Sequence, residues 1–171
     1  MNIKRYIATI ILAIVLLLNF SCTDWLDVKP VDRMSEDQLY STEAGFRQAL
    51  NGIYVELNHA DLYGDELLVN TVEILAQRYK FSSMGTLTNQ YHLAEFDYTT
   101  DYAKKCGSRI WEKAYALIAN VNKLLKNADS HKDLFTGDSY DLITGEAYAL
   151  RAFLHFDLLR LFGPVYKTHK E

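Results

Sequence analysis

The stretch GEAYALRAFLHFDLLRLFGP at residues 145–164 decides the fold, because it predicts a long helix that is apolar on almost every face. The helix begins at Asp138 or Ser139 and ends at Gly163-Pro164, since proline cannot continue a helix. One face carries a regular apolar stripe: Ile143, Ala147, Leu150, Leu154, Leu158 and Leu161. Most of the remaining circumference is also apolar, with Ala149, Ala152, Phe153, Phe156 and Leu159.

The charged side chains of this helix fall into two narrow sectors. At about 100° per residue, Glu146, Asp157 and Arg160 share one sector, and Arg151 and His155 lie nearly opposite. Glu146 and Arg151 are about 140° apart, so we expect each to pair with a different neighbour. A helix of this kind is enclosed by other helices and needs more protein around it than a four-helix bundle readily provides.

Three further helices precede it. Ser35 and Gln38 have capping-box spacing, and Thr42 is the alternative cap for the main first helix. The apolar periods are Phe46, Leu50, Ile53 and Leu57; then Leu68, Val72, Leu75 and Tyr79; then, from Gly107-Ser108, Ile110, Ala114, Leu117, Val121 and Leu124. Residues 80–107 lack a helical period, residues 91–99 are compatible with a short hairpin arm, and residues 127–137 are loop-like. This pattern predicts an all-α fold of tetratricopeptide-like helical hairpins with long loops, although the spacing departs from the standard repeat.

The N-terminal segment predicts export and anchoring. Lys4 and Arg5 precede an apolar run of 12 residues at 7–18, which fits a signal peptide (about 7–15) better than a membrane span (about 20). Small Ser21 stands directly before Cys22, and residues 18–22 resemble the lipobox at which acyl chains such as palmitate are attached to cysteine. Cys22 is therefore the predicted lipidation site, with an ordinary signal peptide as the alternative.

These features divide the chain into three parts. Residues 1–21 are a lipoprotein signal peptide, residues 22–34 an extended tether, and residues 35–171 a helical region. Without the signal peptide, 16 basic residues face 22 acidic ones, a net charge of −6. This charge argues against nucleic acid as a partner and against a polybasic hold on lipid. If Cys22 is acylated, Cys106 has no partner within the chain for a disulfide.

Motifs for catalysis are absent from the sequence. The five histidines have no metal-ligand spacing, and there is no phosphate-binding glycine loop or nucleophile elbow. The carboxylate pairs Glu66 with Glu73 and Glu146 with Asp157 are compatible with a glycosidase, but such pairs on helices are ordinarily solvated or salt-bridged. We therefore predict no catalytic residue, no metal site and no cofactor.

Four segments in order resemble the SusD/RagB family. They are SCTDWLDVKP at residues 21–30, ALNGIY at 49–54, WEKAYALIAN at 111–120 and GEAYALRAFLHFDL at 145–158, followed by LFGP at 161–164. Trp111, Tyr115, Asn120, Glu146 and Arg151 belong to these motifs and are interpreted as structural. SusD-like proteins continue for several hundred residues beyond this point, so the chain resembles their N-terminal part. An expressed fragment, a partial gene and a truncated relative all stay open.

The resemblance implies an outer-membrane lipoprotein on the cell surface. Such proteins bind oligosaccharides or peptides, perform no chemistry, and cover a SusC-like TonB-dependent barrel transporter. A lipid-anchored helical-repeat scaffold that binds a protein partner is the second hypothesis, and a lipid-anchored hydrolase is the third.

An aromatic-rich segment is the predicted ligand site. Residues 79–102 contain Tyr79, Phe81, Tyr91, Phe96, Tyr98 and Tyr102, and sugar C–H faces stack on such rings. We expect Tyr91 first and Tyr98 second to contact an oligosaccharide, with Asn89 and His92 beside them. The alternative is that these rings fold inward as core residues. In SusD-like proteins the loop before the tryptophan-containing helix often contributes to the glycan platform.

Overall fold

A computed structural model describes residues 35–82, 85 and 87–164, together with Ile7. The predicted signal peptide and tether, including Cys22, lie outside these residues apart from Ile7. The chain divides into two compact units, residues 1–35 and 36–171. The second unit contains α1 (Glu36–Leu39), α2 (Glu43–Leu57), α3 (Thr71–Leu75), α4 (Thr88–Ala94), α5 (Asp101–Ser130), a 3-10 turn (Lys132–Leu134) and α6 (Ser139–Phe162). The described part has no strand, which confirms the all-α prediction; the tetratricopeptide-like detail stays a prediction.

The main core lies between α2, α5 and α6, the three long helices, each of which contacts the other two. The predicted stripes of these helices form it: Phe46, Leu50 and Ile53 from α2; Ile110, Ala114, Leu117, Val121 and Leu124 from α5; Ile143, Ala147, Leu150, Leu154 and Leu158 from α6. A smaller core contains Ile74, Leu93, Ala94 and Ala103. This second core fixes α4 and the start of α5, where the predicted ligand residues lie.

Residues within a few positions of the helix ends determine where α2 starts and where α6 stops. The Thr42 side chain accepts a hydrogen bond of 3.1 Å from the backbone N–H of Gly45 and caps α2, as the alternative capping hypothesis predicts. Gly45 packs closely, because a Cβ there would lie 1.7 Å from the carbonyl oxygen of Leu39. At the other end of the chain α6 stops at Phe162, immediately before the Gly163-Pro164 pair. The two predicted boundaries are confirmed.

The second helix is much shorter in the structure than the sequence predicts. Residues 60–69 form successive turns, and only Thr71–Leu75 is helical. Gln77 has a φ of 59°, a left-handed conformation that ends the helix before Tyr79. Leu68 and Tyr79 are exposed as a result, so they do not belong to an apolar stripe.

The prediction for residues 91–107 is also corrected. The segment proposed as a hairpin arm begins inside a helix, α4, and a φ of 59° at Phe96 then turns the chain. The next helix starts at Asp101 rather than at Gly107, because Thr100 caps it through the N–H of Ala103 at 3.2 Å. Its buried stripe accordingly extends back to Ala103 and Cys106.

The predicted loop at residues 127–137 begins later than expected. Helix α5 continues to Ser130, and the short 3-10 turn follows it. Ala128 is fully buried and completes the apolar stripe of α5, which keeps this part of the chain helical.

Candidate functional site

The six aromatic side chains of residues 79–102 divide into two groups. Phe81 and Tyr102 pack against the smaller core, as the inward-folding alternative predicts. Burial raises the pKa of Tyr102 to about 12, with Cys106 and Glu66 contributing. Tyr79, Phe96 and Tyr98 are exposed, and Tyr91 is half-buried. Tyr98 is the most exposed of the set at 57%.

Helix α4 carries three of the predicted ligand residues. The rings of Tyr91 and His92 meet edge to face with centroids 5.7 Å apart. His92 also reaches the following turn, where its Nδ1 lies 3.7 Å from Oδ2 of Asp97. Asn89 is exposed, and the described part of the chain shows it in no hydrogen bond with the other three. The structure therefore links Tyr91 and His92 to the turn that bears Tyr98, and leaves Asn89 apart.

The turn before α5 holds Tyr98 in place. Oδ1 of Asp97 accepts hydrogen bonds from the hydroxyl of Thr99 at 2.6 Å and from its backbone N–H at 3.0 Å. These bonds lower the pKa of Asp97, and the neighbouring His92 adds to the effect. The backbone N–H of Tyr98 donates to the carbonyl of Phe96 at 3.1 Å. An ionised Asp97 thus fixes the backbone on both sides of Tyr98.

Tyr98 lines a cavity of about 300 Å³. The turn with Tyr98, the start of α5 with exposed Lys104 and the end of α6 with Phe162 meet there, and α3 and α4 also contribute to the lining. The remaining lining is mostly apolar and consists of Thr71, Leu75, Leu93, Ala103, Gly107, Ile110 and Leu161. A largely apolar cavity with an exposed phenol ring and an ammonium group has the means to stack a ring and donate to its hydroxyls.

A buried carboxylate accepts a hydrogen bond from Thr71, one of the residues that line this cavity. Glu66 is only 2% exposed, and it accepts hydrogen bonds from the hydroxyl of Thr71 and from the guanidinium of Arg109. The Arg109 guanidinium also lies 3.7 Å from Asp61 and 3.6 Å from the sulfur of Cys106. The sequence did not reveal this network, because Glu66 and Arg109 are far apart along the chain and follow no local spacing.

The carboxylate pairs considered for glycosidase chemistry have other partners. Glu66 pairs with Arg109, and Glu73 lies 3.9 Å from Arg78. Glu146 accepts a hydrogen bond from the hydroxyl of Tyr54 at 3.1 Å, and Asp157 accepts one from Arg160 at 2.9 Å. Each of the four carboxylates therefore has its own donor or counter-ion.

The five family-motif residues interpreted as structural differ in their exposure and in their partners. Arg151 donates to Asn122 at 2.8 Å and lies over the ring of Tyr148, so it and Glu146 have different neighbours, as their separation on the helix predicts. Asn120 is exposed. Trp111 and Tyr115 remain 44% and 40% exposed.

Trp111 and Tyr115 form a second aromatic surface that the sequence did not suggest. Their ring centroids are 4.7 Å apart, and Phe162 meets Trp111 edge-on at 5.2 Å. Together with His155 they line an open cleft of about 320 Å³ between α5 and α6. This cleft is the alternative stacking surface to the Tyr98 cavity.

Residues 35–82, 85 and 87–164 offer neither a metal site nor a membrane span. No cluster of His, Cys, Asp or Glu suited to hold a metal ion is found in that part of the chain. Nor is any helix there long and apolar enough to cross a membrane.

Comparison with known proteins identifies the class. The family model for SusD-like proteins, described as starch-binding and associating with the outer membrane, matches residues 24–171. The chain therefore belongs to the SusD-like family, which confirms the resemblance.

Two curated relatives come from Formosa agariphila. SusD-like protein P2 is 27% identical over 162 residues, which cover 95% of this chain and 30% of P2. SusD-like protein P25 is 27% identical over 148 residues, covering 84% of this chain and 28% of P25. The chain thus spans under a third of the length of these relatives. No solved structure matches it.

Proposed function

We propose that the chain binds an oligosaccharide as part of a lipid-anchored protein on the outer face of the outer membrane, and that it performs no chemistry on it. The observation that carries this proposal is the family match over residues 24–171, whose description is starch-binding. The cavity beside exposed Tyr98 supplies a place for the ligand.

The binding mode follows from the side chains at the cavity. A pyranose ring stacks its C–H face on the exposed ring of Tyr98, and its hydroxyls accept hydrogen bonds from the ammonium of Lys104. Tyr91 and His92 extend the polar and aromatic surface on α4, next to the same turn. Asn89 is exposed on the first turn of α4 and stays a predicted ligand contact, although no hydrogen bond joins it to Tyr91, His92 or Tyr98 in the part of the chain that the structure describes.

The anchor and the partner are part of the same proposal. Acylation at Cys22 ties the protein to the outer membrane, which also holds a SusC-like TonB-dependent transporter. Confinement to one membrane raises the effective concentration of the two proteins for each other without additional contacts. The protein then delivers bound glycan to the transporter.

A glycan panel tests the proposal directly. We expect saturable binding to at least one oligosaccharide by titration calorimetry, together with no release of reducing ends over extended incubation. Release of reducing ends would favour the hydrolase. Binding of a protein partner without any glycan would favour the scaffold, whereas capture of a barrel transporter from detergent extracts would support delivery.

A further inference from the structure

A buried ion pair contacts the wall of the cavity that holds Tyr98. Glu66 is 2% exposed, and the guanidinium of Arg109 donates a hydrogen bond to its Oε1. The other carboxylate oxygen, Oε2, accepts a hydrogen bond from the hydroxyl of Thr71. Thr71 is itself 5% exposed and is one of the residues that line the cavity. Thr71 therefore connects the buried carboxylate to the proposed sugar site.

Stability alone does not account for a charge at this position. Taking a carboxylate out of water carries a large penalty, which the attraction of its partner often fails to offset, and apolar residues of similar volume frequently stabilise a protein as well or better. A buried ion pair can, however, hold the groups around it in one defined arrangement. At Glu66 the group held is Thr71, so the arrangement concerns the cavity.

Glu66 also holds the backbone at the start of α3. Asn70, the residue before this helix, makes no capping hydrogen bond with its side chain. The carbonyl of Glu66 instead accepts a hydrogen bond of 3.2 Å from the N–H of Val72 in the first turn. Main chain and side chain of Glu66 thus both contact α3, the helix from which Thr71 and Leu75 line the cavity.

We propose that Glu66 is a positioning residue of the sugar site and makes Thr71 a hydrogen-bond acceptor towards the ligand, an inference that rests on the proposed function. A hydroxyl group has one proton and two acceptor positions, whereas an ionised carboxylate can only accept. The proton of Thr71 is committed to Glu66, so the Thr71 oxygen can only accept from a ligand in the cavity.

The roles of the polar side chains define which sugars fit. The ammonium of Lys104 can only donate, and Thr71 can only accept. A bound sugar therefore needs one free hydroxyl that donates to Thr71 and another oxygen that accepts from Lys104. The site selects saccharides with an unsubstituted hydroxyl at the position that reaches Thr71, and it disfavours those with a methyl ether or an ester there.

Two substitutions at Thr71 test the acceptor role, by titration calorimetry with the best oligosaccharide of the glycan panel. Thr71→Val keeps the shape of the side chain and removes its hydroxyl, whereas Thr71→Ser keeps the hydroxyl. Both leave the pair of Glu66 and Arg109 in place. We expect Kd to rise about fivefold for Thr71→Val, the loss of one hydrogen bond, and to stay within about twofold of the native value for Thr71→Ser. Native affinity in Thr71→Val would overturn the acceptor role.

The positioning role is tested at Glu66 itself. Glu66→Gln keeps the shape of the side chain, and Arg109 retains Asp61 at 3.7 Å as a counter-ion, so we expect this variant to fold. Its amide can donate to Thr71 as well as accept, which releases the fixed direction of the hydroxyl and should raise Kd about fivefold.

Glu73→Gln is the matched control for Glu66→Gln. Glu73 lies on the same helix, forms an ion pair of 3.9 Å with Arg78 and is not among the residues described as lining the cavity. We expect Glu73→Gln to bind the oligosaccharide with native affinity. A rise in Kd equal to that of Glu66→Gln would overturn the positioning role, because any acid-to-amide change on α3 would then suffice.

A double variant separates positioning from a general loss of structure. If Glu66 acts through Thr71, adding Glu66→Gln to Thr71→Val raises Kd no further than Thr71→Val does alone. A merely structural Glu66 would lower the urea midpoint with Kd unchanged, or raise Kd by the same factor with and without Thr71→Val, and either result would overturn the inference. If Glu66→Gln failed to fold, the comparison of Thr71→Val with Thr71→Ser would decide. A native chain that binds no oligosaccharide would overturn the proposed function as well, whereas native binding that is unaffected in Glu66→Gln and Thr71→Val would overturn this inference alone.

Discussion

The hydroxyl of Tyr63 donates a hydrogen bond of 2.6 Å to Oδ2 of Asp157 and joins the turns after α2 to the C-terminal half of α6. Burial raises the pKa of Tyr63 above its usual value, and the bond to the carboxylate raises it further. The ring of Tyr63 also stacks on Phe153, with centroids 5.1 Å apart. The Tyr63 side chain therefore holds residues 60–69, which lack regular helix, against α6.

Tyr63→Phe should destabilise the fold without changing its shape. The substitution keeps the stacking on Phe153 and removes a hydrogen bond to a charged group, so we expect a loss of about 1–2 kcal/mol in the free energy of unfolding. Urea denaturation followed by circular dichroism measures it. The control is Tyr115→Phe, because Tyr115 is exposed. Equal stability of the two variants would show that the Tyr63 hydroxyl contributes nothing.

Acid should weaken the contact between the start of α2 and the start of α6. Hydrogen bonds from Ser139, Arg47 and Thr136 lower the pKa of Glu43 from 4.5 to about 2. A carboxylate whose pKa is depressed in the folded state stabilises that state above pH 4.5, and this contribution is lost as the pH falls towards 2. We expect Glu43→Gln to remove part of the acid dependence of the urea midpoint in that range, whereas Glu112→Gln, at an exposed position of α5, should keep it. An unchanged acid dependence in Glu43→Gln would contradict this role.

Cys22→Ala should release the protein from the membrane. The substitution removes the thiol that the acyl chains modify, and a single short apolar run cannot replace the anchor once it is cleaved. Palmitate labelling and membrane fractionation of cells that express the full chain measure the effect. Ser21→Ala is the matched control, because it keeps a small residue before the cysteine. Membrane partitioning that persists in Cys22→Ala would argue against lipidation.

The apolar stripes of the long helices could be predicted because their signals are local, whereas α5 extends beyond the predicted helix at both ends. The apolar stripe of α6 and the Thr42 cap of α2 each depend on residues within a few positions, and both are confirmed. The short helices could not, because left-handed backbone at Gln77 and Phe96 decides where they end. Neither glutamine nor phenylalanine is typical of a left-handed conformation, which glycine usually adopts.

The candidate site was harder to predict than the fold. The sequence indicated Tyr91 and Tyr98 because each lies beside polar residues and outside the helical stripes, and the structure makes Tyr98 the more exposed of the two. The cavity itself combines residues from α3, α4, α5 and α6, whose approach depends on tertiary packing. The Glu66–Arg109 pair joins positions 43 residues apart and likewise follows no periodic pattern.

Oligosaccharide titration of the full chain and its tyrosine variants tests the central claim most directly. Removing one stacking ring costs about 1 kcal/mol or more, roughly a fivefold rise in Kd. We predict this rise for Tyr98→Ala and for Tyr91→Ala on the best ligand of the glycan panel, and no change for Tyr115→Ala, with circular dichroism unaltered in all three. Loss of binding in Tyr115→Ala alone would move the site to the cleft between α5 and α6. Unchanged affinity in both Tyr98→Ala and Tyr91→Ala would contradict the site, and no binding to any glycan by the native chain would contradict the proposed function.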